Sequence, residues 1–254
     1  TIPKQNRLTL NPMLSPKGRI IGDFTVTCLN DEEFQLTASY GSQEYHLRWF
    51  LLNKKNGVNI ENISDKMNGF QIAGPNSRKL LQKVTNFSLE DFKFRDAHTI
   101  LVGNISCLVQ RVSYTGDLGF EIYCGPNKQC DLWEVLWSAG AEFDIKPFGM
   151  RAMMSLRLDK FFGSWLSEFS PDYTPAETGL DKFINFKKDY DFIGRSAAYA
   201  EHINGCERKL CIFEVDADDA DVVGYEPISL GNKVVGFCTS GGFSHHTGLS
   251  LIHI

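Results

Sequence analysis

The chain has 254 residues, 43% of them hydrophobic and 22% charged, with a net charge of −5. It can bury one large core or two smaller ones, and its acidic balance without a basic tract argues against a nucleic-acid or anionic-membrane surface. No apolar run approaches the roughly 20 residues that span a bilayer, and no signal peptide is visible. Seven scattered cysteines without a C-x-x-C pair fit reduced, buried thiols in a cytosol-like compartment better than a disulfide framework or a zinc site. Both ends read as cut: the chain starts at Thr1 and runs directly into strand and turn. One frame of a common transposase-adapter sequence would encode the last six residues, Leu249 to Ile254, so these are expected to stand outside the fold.

In chain order, Gly18 to Cys28 and Phe34 to Ala38 predict a hairpin turning at Asn30-Asp31. Tyr45 to Asn53 has helical spacing at Leu47, Phe50 and Leu51. Gly69 to Ala73 is a short strand, and Gly74-Pro75 opens a helix that buries Leu80, Leu81 and Val84. Ile105 to Ser113 and Phe120 to Cys124 form a second hairpin around two glycines. Asn127 to Gly140 is an amphipathic helix with Leu132, Val135, Leu136 and Ala139 on one face. Met150 to Phe161 reads as a more apolar, central helix whose Arg157 and Asp159 need partners. Trp165 to Gly179 is a long loop of the kind that carries function. A helix starts near Phe192, and after Asn204 to Glu207 the texture turns to strands at Arg208 to Val215, Glu226 to Leu230 and Lys233 to Ser240. The expected domains are 1–204, 205–248 and the tail 249–254.

The second hairpin carries the most chemistry. Period-two alternation places Phe120, Ile122 and Cys124 on one face and Glu121 and Tyr123 on the other, with Tyr114 near the acid. A carboxylate can take two parallel N–H donors from a flat heterocycle such as the amino-pyrimidinone edge of a pterin. Asp23, next to Gly22, could stabilise an iminium or take a proton from an amine. On residue types alone, both acids read more simply as a surface glutamate and a turn aspartate. His245 and His246 point to opposite faces of a strand and have no third ligand nearby, so no metal is expected. The glycines from Gly236 to Gly248 follow a strand without opening a helix and fail as a dinucleotide loop.

The ordered motifs, from about Leu10 to Gly248, together resemble the folate-binding domain of glycine-cleavage aminomethyltransferases, and within it the carboxy-terminal half of dimethylglycine and sarcosine dehydrogenases. They are Asn11-Pro12-Met13-Leu14, the run Gly18 to Val26, Gly74-Pro75, Tyr114 to Glu121, Ser155 to Lys160, Thr174 to Leu180, Phe192-Ile193-Gly194-Arg195 and Gly236 to Gly241. The resemblance implies an α+β fold, a folate-binding domain with ferredoxin-like sheets followed by a truncated C-terminal β-barrel domain. It implies that Asp23 is the catalytic aspartate, that Tyr114 packs on or bonds the cofactor, that Glu121 anchors the pterin, and that Thr25, Thr37, Ile122 and Tyr123 line the same pocket.

By the same resemblance the cofactor is tetrahydrofolate, and FAD is expected only on a missing N-terminal flavin domain, covalently part of the full-length protein, that oxidises a small N-methyl amine. The one-carbon unit is then captured as 5,10-methylene-tetrahydrofolate, in the cytoplasm or, in a eukaryote, the mitochondrial matrix. The alternatives are a stand-alone tetrahydrofolate-dependent aminomethyltransferase or demethylase, and a non-catalytic folate-binding protein. Departures from the family pattern are Met153 where an arginine holds folate, Asp159 and Asp117 where glutamates are usual, and Lys182 or Phe183 where a tryptophan stacks.

Overall fold

The computed structural model describes residues 2–254. In its first part the chain forms β1 (Arg7–Leu14), β2 (Ile20–Cys28), β3 (Phe34–Thr37), α1 (Gln43–Asn53), β4 (Asn68–Ala73), α2 (Ser77–Lys83), β5 (Ala97–Val102), β6 (Ile105–Gln110), β7 (Gly119–Cys124) and α3 (Gln129–Gly140). There follow α4 (Met150–Leu156), α5 (Pro175–Thr178), α6 (Arg195–Asn204), β8 (Ile212–Val215), β9 (Pro227–Leu230), β10 (Lys233–Phe237), β11 (Ser240–Phe243) and β12 (Ser250–His253). Packing divides the chain into a sheet unit, residues 2–9 and 25–147, and a C-terminal unit, residues 10–24 and 148–254. The change of texture near residue 205 therefore lies inside one packed unit.

The sheet unit is built on an antiparallel sheet in the order β4-β7-β6-β5. One face is dry. Ile72, Ile100, Val102, Ile105, Cys107, Val109, Phe120, Ile122 and Cys124 pack there against Leu80 and Leu81 of α2 and Leu132 and Leu136 of α3. The two helices bury the stripes that their spacing predicts. The opposite face is mixed: Leu8, Ala97 and Leu108 are buried with Leu29 and Tyr123, and the strand start is tied by Leu8 N–H to the Arg95 carbonyl at 2.9 Å. Gln110 donates to Thr27 Oγ1 at 2.9 Å, which ties the second half of β2 to this face.

Two glycines have steric reasons here. A Cβ on Gly119 would stand 2.6 Å from the Ile72 carbonyl oxygen, so only glycine lets β7 start alongside β4. A Cβ on Gly69 would stand 2.7 Å from the Tyr123 ring, its register partner, so the missing side chain gives that ring its seat.

In the C-terminal unit, Ile20, Phe169 and Leu180 form a core with Leu10, Trp165, Tyr173 and Phe183. The stretch expected to be only a loop contains α5, opened by a capping box in which Thr174 accepts from Glu177 N–H and Glu177 accepts from Thr174 N–H. The Thr-Pro-x-Glu spacing carried that signal. The helix expected to run centrally from Met150 to Phe161 is shorter. It ends at Leu156 in a 3-10 turn, and Met150 is 67% exposed; apolar residues all round the helix define no single face to bury. The tail expected to stand outside the fold instead supplies β12, the middle strand of the sheet β11-β12-β8. Its Ser-Leu-Ile-His run satisfies the backbone groups of two strands at once, and all four residues are buried.

Arg157 found its partners. Its guanidinium donates to Glu168 at 2.9 Å, to the Phe162 carbonyl at 2.7 Å and to Ser240 Oγ at 2.5 Å, and both members of the ion pair are essentially inaccessible to water. Burial alone would raise the Glu168 carboxyl, but hydrogen bonds from His253 and Ser240, the Arg157 charge and the Ser164 N–H outweigh it and hold it well below the usual carboxylate range. A carboxyl lowered in the folded state adds stability above its unfolded value, and that stability is lost as pH falls. Glu168→Ala should therefore cost about 3–5 kcal/mol in urea unfolding at pH 7, and the difference from the unaltered chain should shrink as the pH is taken below 4.5. A loss under about 1 kcal/mol, or one independent of pH, would contradict this.

Candidate active site

Glu121 and Tyr123 stand on the mixed face of the sheet unit, as the alternation of β7 requires. The Tyr123 hydroxyl donates to Glu121 Oε2 at 2.7 Å, and the Thr37 side chain hydrogen-bonds the same phenol. Gln71, the register partner of Glu121 on β4, approaches Oε1 with Nε2 at 3.5 Å. The carboxylate is thus held from both sides while each oxygen keeps a free lone pair. Burial raises the Glu121 carboxyl, and the Tyr123 and Gln71 donors offset part of that. Burial and the neighbouring Glu121 charge push the Tyr123 phenol well above its ordinary value, so it remains a hydrogen-bond donor at any physiological pH.

The hairpin β2–β3 pairs Thr25 directly with Thr37. Thr37 therefore joins Glu121 and Tyr123 in one constellation of the sheet unit, with Thr25 as its neighbour across the hairpin. Tyr114 lies half-buried in the turn 111–118 between β6 and β7. Ile122 is different. Its side chain is 0% exposed in the helix-covered core, because one residue along a strand reverses the face; beside Glu121 it offers only backbone. Gln71, Gln110, Gly69 and Thr27 are site neighbours that the motif reasoning did not reach. The signal for Gln71 was present in the alternation of Phe70 and Ile72 about a polar position.

Asp23 lies on β2, in the part of that strand that belongs to the C-terminal unit. Its Oδ1 is buried and has no hydrogen-bond partner. Burial pushes the carboxyl up to about 7, its own N–H offsetting only part of the effect. Such a group stores or releases a proton near neutral pH, which suits general acid–base work.

Residues 2–188 match the GCVT N-terminal domain and residues 208–252 the glycine cleavage T-protein C-terminal barrel domain. The chain belongs to the glycine cleavage T-protein family. It is 38% identical to mitochondrial dimethylglycine dehydrogenase of Homo sapiens over 98% of its length, but spans only 29% of that protein. It is 35% identical to an aminomethyltransferase of Thermoanaerobacter sp. (strain X514), covering 98% of this chain and 69% of the relative. Its fold matches a crystal structure of glycine cleavage system aminomethyltransferase T from Bartonella henselae with a TM-score of 0.84 at 20% identity, over 98% of this chain and 68% of that one. It is thus an aminomethyltransferase-like chain with mixed helix and sheet. Among the described residues no helix is long and apolar enough to cross a membrane.

The raised Asp23 carboxyl has a consequence for stability. Its contribution is full below the unfolded value of 3.8 and is lost as pH rises through about 7. Asp23→Asn should therefore stabilise the chain at pH 8, by about 2 kcal/mol after discounting for the solvent contact Asp23 retains, and have little effect at pH 4. Chemical unfolding at both pH values checks this; equal effects at the two would contradict it.

Proposed function

We propose that the chain binds tetrahydrofolate and transfers a one-carbon unit to it, as the folate-binding part of an N-methyl amine dehydrogenase of the dimethylglycine or sarcosine kind. The observation that carries this is the Glu121 carboxylate, clamped by Tyr123 and Gln71 with acceptor capacity left over. An amino-pyrimidinone edge presents two adjacent N–H donors, and a fixed carboxylate is their natural complement. The residues present therefore fit the group. When bound, tetrahydrofolate supplies the nitrogens that take up the carbon.

The chain's own residues do the rest. Glu121 orients the ring, Tyr123 and Gln71 hold Glu121, Thr37 holds the Tyr123 phenol, and Tyr114 and Thr25 would complete the walls. Asp23, ionising near 7, would remove or return the proton exchanged when the amine nitrogen bonds the carbon, and in its charged form would stabilise a cationic iminium. Holding the acceptor in place converts capture into an effectively intramolecular step. The flavin-dependent oxidation would belong to a part of the protein outside this chain, in keeping with the 29% span of the human relative; that relative is a mitochondrial enzyme by name. The second reading, a stand-alone aminomethyltransferase, is favoured by the 69% span of the bacterial one.

In the protein that carries this chain, Asp23→Asn should leave oxidation of the amine largely intact while lowering the yield of 5,10-methylene-tetrahydrofolate at least tenfold. The yield of the unaltered protein should rise with pH through about 7, and the variant should lose that limb. An unchanged yield and pH profile would remove Asp23 from the chemistry.

A further inference from the structure

Glu121 has a glutamine on each side. Gln71 on β4 and Gln110 on β6 are its register partners across the sheet, and strands lie about 4.8 Å apart, so the three side chains form a row on the mixed face. Each glutamine commits its N–H group to a neighbour: Gln71 to Glu121 Oε1 at 3.5 Å, Gln110 to Thr27 Oγ1 at 2.9 Å. This fixes which end of each amide is oxygen, since a flipped Gln71 would set its carbonyl against the carboxylate. Both amide oxygens are buried without a hydrogen-bond partner. A buried acceptor left unmet costs free energy that an arriving donor recovers.

The two glutamines differ in reach. Gln110 is 0% exposed. Gln71 is half-buried on β4, an edge strand of this sheet, and its unmet oxygen belongs to the amide that stands beside the Glu121 carboxylate. Alongside that carboxylate the unmet atoms of the two glutamines are acceptors.

We infer that Gln71 reads the oxidation state of the bound ring, an assignment that rests on the folate reading above. With Glu121 accepting from the 2-amino group and the adjacent ring N–H, the next hydrogen-bonding position on that edge, beyond the bare ring nitrogen N1, is N8. In tetrahydro- and 7,8-dihydropterins N8 carries a hydrogen and donates to a carbonyl. In the fully oxidised ring it carries a lone pair and repels one. Gln71 thereby selects reduced folates, and it does so by its own contact rather than through Glu121.

The test is equilibrium binding of tetrahydrofolate, 7,8-dihydrofolate and folic acid to the unaltered chain, Q71M and Q71A, all three ligands on each preparation. Dihydrofolate keeps the N8 hydrogen but lacks the one on N5, so it isolates the atom being read. The unaltered chain should prefer both reduced forms to folic acid by about tenfold, the worth of one hydrogen bond against one repulsion. The variants should narrow that preference to about twofold or less. Because the ratio is taken within one preparation, loss of folded protein cancels from it. No binding of tetrahydrofolate by the unaltered chain would overturn the folate reading and this assignment with it. Binding with the same preference in all three proteins, or a dihydrofolate affinity matching folic acid, would overturn the role of Gln71 alone.

Discussion

The period of two along β7 is the constraint on which the sheet unit depends. Phe120, Ile122 and Cys124 enter the core beneath α2 and α3, and that burial, worth about 1.5–3 kcal/mol for each large apolar side chain, leaves no freedom to slip the register. Glu121 and Tyr123 are then obliged to face the other way. A slip of one residue would drive a carboxylate into the helix-covered core and lift Ile122 out of it. The dry face thus fixes the position of the polar one. Gly69 extends the effect to β4, since its missing Cβ gives the Tyr123 ring the space it needs beside Glu121.

The chain treats its buried carboxyls in opposite ways. Glu168 is surrounded by donors and held charged against Arg157, an arrangement that organises a core. Asp23 has an orphaned oxygen and a carboxyl raised toward neutrality, an arrangement that weakens the fold at high pH. Glu121 lies between these extremes, held by two donors yet raised by burial. Burial without compensation suits the proton exchange proposed for Asp23, and full compensation suits a carboxylate that organises a core.

Most elements were legible in the sequence because each had a strong local pattern. The β2–β3 hairpin, the strand before Gly74-Pro75 and the stripes of α2 and α3 all appear where spacing put them. Three features were not. The end of α4 depends on Arg157 being drawn to Glu168, a contact eleven residues away that no period encodes. The burial of β12 depends on two strands distant in the chain. The alternation of Phe70 and Ile72 puts Gln71 on the polar face, but its place beside Glu121 comes only from cross-strand register, which is set by packing rather than by composition. Asp23 and Glu121 are proposed as site residues through the order of motifs; their residue types alone read as a turn aspartate and a surface glutamate.

The most direct measurement is a calorimetric titration of tetrahydrofolate into the chain and into Glu121→Gln, which keeps the shape of the side chain but replaces one acceptor by a donor. Saturable binding at one site, weakened about 10- to 100-fold by the substitution, is the expected result. Equal affinities for the two proteins would contradict the assignment of Glu121 as the anchor of the ring.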